Sequence, residues 1–97
     1  MLFVLRFDNK PDSGNLHKKL LPAHLEWLEK NSAAVLVAGS LRNEPSAAPV
    51  GGLWIVEAPS KADADALFRT DPFWIEGLRA GYELLHWSKA FERKVPV

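Results

Sequence analysis

Apolar residues along this chain fall into short runs of two kinds, separated by clusters of turn formers. Residues 2–7, "LFVLRF", are β-prone and stop at "DNKPDSG", which predicts a first strand closed by a turn. From Leu16 to Lys30 the apolar positions Leu16, Leu20, Leu21, Leu25 and Leu28 recur at helical spacing among charged residues. Pro22 lacks the N–H that a helix interior needs, so it belongs in a first turn or at a kink; a regular helix is expected from about Leu21.

Two further β-prone runs, "AAVLVAGSL" at 33–41 and "GGLWIVEA" at 51–58, flank "RNEPSAAP", whose prolines and small polar residues predict a long hairpin loop. Ser60 with Asp63 resembles a capping box and opens a second helix that must end near Thr70, ahead of Pro72. In "DPFWIEG", 71–77, Asp71 caps a short helical turn with Pro72 at its first position. The last run, "YELLHWSKAFERKV", predicts a long fourth strand with Tyr82, Leu84, His86, Ser88 and Ala90 on one face and Leu85, Trp87 and Phe91 on the other.

The resulting order, βαββαβ, is that of an α+β, ferredoxin-like domain with a four-stranded antiparallel sheet. Two helices cover one face of such a sheet. Trp54, Trp87 and Phe91 suggest that both strand faces carry large apolar side chains, so the open face is expected to bury against a second copy, giving a homodimer through the sheet face.

Composition narrows the function. The 97 residues, 47% of them apolar, suffice for one modest core, and the whole chain, 1–97, is read as a single domain. Twelve basic and twelve acidic side chains cancel without a basic cluster, which argues against a nucleic-acid partner. Cysteine is absent, removing thiolate chemistry and suiting a reducing, cytoplasmic setting. "MLFVLRFDNK" reads as a strand rather than a signal peptide, and no run approaches the ~20 apolar residues of a membrane span. No Gly-x-Gly-x-x-Gly pattern occurs, so no nucleotide cofactor is expected.

Candidate chemistry centres on "LLPAHLEWL", 20–28, where His24 sits on a largely apolar helix face. It is either an interior imidazole bonded to a carbonyl or a general base whose other nitrogen a carboxylate orients. Asp71 is the best candidate for that carboxylate, because Pro72 fixes its backbone; simple helix capping is the competing role. Arg6, alone among apolar residues of the first strand, either snorkels to the sheet edge or binds an anion. Gly39 and Ser40 of "AGSL" offer a close approach to a ligand, or merely a bulge. His86 is an interface or site histidine, and His17 and Asp8 are expected to be exposed. The three histidines lack the spacing of a metal site, and none is expected.

"PAHLEWL", "AGSL", "GGLWIVEA", "DPF" and "LLHW", taken in order across nearly the whole chain, resemble the YCII-related proteins of the dimeric α+β barrel superfamily. The resemblance implies a ferredoxin-like subunit that dimerises through its sheets and a small cavity whose active pair is His24 and Asp71. Arg6, Gly39, Ser40, Phe73, His86 and Trp87 complete the expected substrate-binding set. Relatives of this kind include a dehydrochlorinase for a chlorinated hydroxyhydroquinone, muconolactone isomerase and heme-free monooxygenases. Arginines common in the family before the proline and earlier in the helix are here Leu21 and His17. Two functions are therefore carried forward: a cofactor-independent lyase or isomerase acting on a small cyclic or aromatic compound, and a non-catalytic dimeric module that binds a small molecule.

Overall fold

Strand β1, Leu2–Asn9, alternates as a half-buried strand must: Phe3, Leu5 and Phe7 are sealed from solvent, while Arg6 and Asp8 on the opposite face are exposed. Burying each of those apolar side chains stabilises the fold by about 1.5–3 kcal/mol before entropy is counted. The computed structural model describes residues 1–97, in the order β1, α1 (Gly14–Lys30), β2 (Val35–Leu41), β3 (Gly51–Glu57), α2 (Lys61–Leu67), α3 (Pro72–Ile75) and β4 (Arg79–His86). A 3-10 turn, Phe68–Thr70, joins α2 to α3. The sheet order is β2-β3-β1-β4 with every neighbouring pair antiparallel, which is the ferredoxin-like arrangement.

Cross-strand register assembles the core on the helix side. Leu5 faces Trp54 and Leu84 across its two neighbours, and Phe3 faces Val56 and His86. Ala64 of α2 and Phe68 of the turn close over this layer, with Trp27 and Leu28 of α1 packed against it.

Two irregularities decide what points where. A bulge between Val35 and Val37 shifts β2 so that Ala38 faces Trp54 and Ser40 faces Gly52, turning the Ser40 side chain toward the helices. A second, between Asp8 and Asn9, sets Asn9 opposite Arg79 and turns Arg79 inward. The bulges lie at opposite ends of the sheet, but the residues they turn, Ser40 and Arg79, come to the same end, beside Gly51 and Gly52.

Three expectations need correction. Helix α1 begins at Gly14, not near Leu21, and carries Pro22 in its interior. The ring is exposed, and two buried residues on the inner face, His17 and His24, draw the whole segment onto the sheet despite the missing hydrogen bond. His17 is consequently buried rather than exposed. The fourth strand stops at His86: the Trp87 N–H reaches the Leu2 carbonyl at 2.9 Å, and β1 offers no partner beyond that residue. Ser88 and Ala90 therefore do not continue the strand. The two predicted caps are as expected, Ser60 accepting from the Asp63 N–H and Asp71 from the Phe73 N–H.

Candidate functional site

Asp71 is placed by four hydrogen bonds before it meets anything functional. Its N–H donates to the Phe68 carbonyl at 3.0 Å, its carbonyl accepts from Trp74 and Ile75, and its Oδ1 accepts from the Phe73 N–H at 3.2 Å. The Trp27 indole N–H donates to Thr70 Oγ1 at 2.9 Å, tying α1 to the residue just before Asp71. Across that junction, His24 Nδ1 stands 2.7 Å from Asp71 Oδ1, 47 residues away in sequence.

The pair is buried, with 7% of the His24 side chain and 2% of the Asp71 side chain exposed. A carboxylate oxygen accepts, so we assign the proton to His24 Nδ1, which leaves the Nε2 lone pair free. Nε2 has no partner within the chain. The Phe73 ring stacks on the imidazole at 3.8 Å and 13°, fixing its plane. His24 then borders a cavity of about 70 Å³, together with Leu21, Ser40, Gly52, Phe73 and Arg79.

Arg79 and His17 were not expected here. The Arg79 guanidinium lies 4.5 Å from the Phe7 ring and 4.9 Å from the Phe73 ring, and its Nη1 donates to Asn9 Oδ1 at 2.7 Å. Burial pulls it down to about 10, against the opposing influence of the Asp71 carboxylate. His17, two helical turns before His24, packs its ring 4.9 Å from that of Phe73. Burial, then the charges of Arg79 and Arg42 and the neighbouring His24, hold its imidazole below the ordinary value. The seven-residue spacing of His17 and His24 was a usable signal for one shared face. For Arg79 there was none, because the bulge that turns it inward leaves no mark in the alternation pattern.

Of the expected substrate-binding residues, Gly39, Ser40 and Phe73 line this cavity. Arg6, His86 and Trp87 do not. Arg6 lies on the open sheet face in ion pairs with Asp8 at 3.2 Å and Glu83 at 3.3 Å. His86 faces the helix side but at the far end of the sheet, its ring 4.6 Å from that of Phe3. Trp87 borders a separate apolar groove of about 640 Å³ on the open face, with Leu36, Val37, Ile55 and Phe91. That groove is larger, yet no histidine and no buried carboxylate lines it, so the chemistry belongs to the smaller cavity. No group of three or more His, Cys, Asp or Glu side chains converges as a metal site, and no helix is long and apolar enough to cross a membrane.

Residues 1–88 match the YCII-related domain. The chain belongs to that family. No curated protein matches it by sequence. Among solved structures it is similar to a 5-chloro-2-hydroxyhydroquinone dehydrochlorinase from Burkholderia phenoliruptrix AC1100, seen in complex with 2,5-dihydroxybenzoquinone. That likeness has 27% identity and a TM-score of 0.82, covering 91% of this chain and 94% of the other. An antibiotic biosynthesis monooxygenase aligns at 21% identity and TM-score 0.52, over 92% of this chain and all (100%) of that one. A NIPSNAP domain protein from Burkholderia xenovorans aligns at 13% and 0.54, over 97% and 100%. The last two likenesses speak for the ferredoxin-like fold alone.

Proposed function

We propose that this YCII-related protein is a cofactor-independent lyase or isomerase for a small cyclic or aromatic compound, with His24 as general base and Asp71 as the residue that orients it. The observation that carries the reading is the buried 2.7 Å contact of His24 Nδ1 with Asp71 Oδ1, which leaves Nε2 on a cavity. A histidine serving only to complete the core has no need of an open second nitrogen. The dehydrochlorinase, similar over most of both chains, supplies the substrate class: a hydroxylated ring bearing a leaving group.

In that chemistry a hydroxyl of the ring's keto tautomer gives its proton to His24 Nε2. The O–H pair becomes a carbonyl π bond, the ring electrons shift, and the carbon–halogen bond breaks with its pair leaving as halide, so that HX is lost overall. Asp71 keeps Nδ1 protonated and stabilises the imidazolium that forms. The walls of Leu21 and Phe73 hold bulk water away from the proton in transit.

The open sheet face suits a second copy of the chain. Val37, Leu53, Leu85 and Trp87 are exposed there, more apolar surface than a lone subunit usually leaves to water. A chain without cysteine also suits the cytoplasm.

The direct test is halide release from 5-chloro-2-hydroxyhydroquinone under anaerobic conditions, by wild type and by His24→Gln. Loss of the general base is expected to slow release by about 10²–10⁴-fold while the variant stays folded. A folded His24→Gln protein with the wild-type rate would return the histidine to a core role and the protein to the non-catalytic binding module.

A further inference from the structure

Arg79 presents an imbalance that the proposed reaction does not use. It is 92% buried, counting its 8% exposure, and no carboxylate lies within ion-pair distance of it. Its guanidinium makes a single hydrogen bond, from Nη1 to Asn9, out of the five donors an arginine carries. Nε is fully buried with no partner at all, the one such side-chain atom in the protein. Buried polar groups are paired in the great majority of cases, and an unpaired buried charge costs several kcal/mol. The faces of Phe7 and Phe73 offset part of this cost, but rings supply no acceptor oxygen.

The surroundings keep the group where it is. Asn9 holds one end, and the bulge at Asp8 and Asn9 aims the side chain inward. Gly52 leaves it room: a Cβ there would lie 3.1 Å from Nη2 and 3.3 Å from Nη1. The guanidinium borders the same cavity as His24, and Phe73 lies between them, stacked on one and under the other.

We infer that Arg79 is the anion-binding group of the His24 cavity, and that the compound held there presents an anionic oxygen, an enolate, phenolate or carboxylate, to the guanidinium donors that Asn9 leaves free. The role rests on the reading of His24 as a base, and it adds a preference to it: acidic hydroxyquinones and enol acids are held over neutral phenols. Binding the anion at Arg79 also sets the neighbouring hydroxyl or C–H beside Nε2. A guanidinium planar fork suits two coplanar acceptor oxygens, the pattern of a carboxylate or of a vicinal hydroxy-carbonyl pair.

Two titrations test this separately from the catalytic reading. In the first, sodium formate is added to ¹⁵N-labelled wild-type protein and the Arg79 Nε–Hε resonance is followed. A saturable downfield shift of that resonance, absent with an equal concentration of sodium chloride, is expected; an unmoved resonance overturns the proposal, whatever a quinone does. In the second, binding of 2,5-dihydroxybenzoquinone and of neutral hydroquinone is compared in wild type and Arg79→Lys, each checked by its thermal unfolding. The lysine variant keeps a charge but loses the fork, and is expected to weaken the anionic ligand by about tenfold or more while leaving hydroquinone unchanged. Equal loss for both ligands, or for neither, also overturns it. If formate shifts Arg79 but the quinone does not bind wild type, the anion site stands and the aromatic substrate class falls.

Discussion

His24 is the residue whose meaning changed most between sequence and structure, and Asp71 changed it. Alone, a histidine among leucines reads as core; with a capping carboxylate from 47 residues away on Nδ1 it has one nitrogen to spare. Both residue types were visible in "PAHLEWL" and "DPF", but their meeting depends on the packing of α1 against α3, which no local pattern specifies. His17 shows the opposite failure, since reading Pro22 as a helix start cut it off from the face it shares with His24. Its titration gives a prediction. The folded value lies below the unfolded one, near ~6.5, so the unfolded chain takes up the proton first as the pH falls. Stability from the neutral ring is complete above that value and is lost as the pH falls toward the folded one. Urea midpoints at pH 7, 6 and 5 should therefore decline, and His17→Phe should flatten that decline; an unchanged slope would separate His17 from the acid sensitivity.

At the scale of elements, the strands and helices were legible because their periods are regular, and the misreadings sit where regularity breaks. β4 ends when its partner strand ends, a fact of pairing rather than of its own sequence. The bulges in β4 and β2 reverse the facing of Arg79 and Ser40, so strict alternation misassigns both. Glycines in the sheet mark the same contrast between local pattern and packing. A Cβ on Gly51 would run into the Phe7 carbonyl oxygen, whereas one on Gly39 meets nothing within 4 Å. Gly51→Ala is thus expected to destabilise by about 1–3 kcal/mol through overpacking. Gly39→Ala should gain about 0.5–1 kcal/mol from reduced chain entropy. Urea unfolding of the two variants side by side checks the pair, and equal effects would contradict the β1–β3 register.

For the whole molecule, the division of labour runs between the two faces of one sheet. The helix-covered face holds the core and, at one end, the cavity with its histidine, carboxylate and guanidinium. The open face holds an apolar groove and the exposed ion pairs of Arg6. If that face meets a second copy, wild type sediments as a dimer at micromolar concentration, and Leu85→Lys, placing a charge on the face, shifts it to monomer without lowering the thermal midpoint of the isolated subunit. A wild type that sediments as monomer would leave the groove without that role. The central claim, that Asp71 acts through His24, is tested most directly by kcat/KM for halide release from 5-chloro-2-hydroxyhydroquinone in His24→Gln, Asp71→Asn and the double variant. Residues acting as one unit lose activity non-additively, so the double variant should be no slower than His24→Gln alone. Losses that multiply, or an Asp71→Asn protein as fast as wild type, would contradict the account.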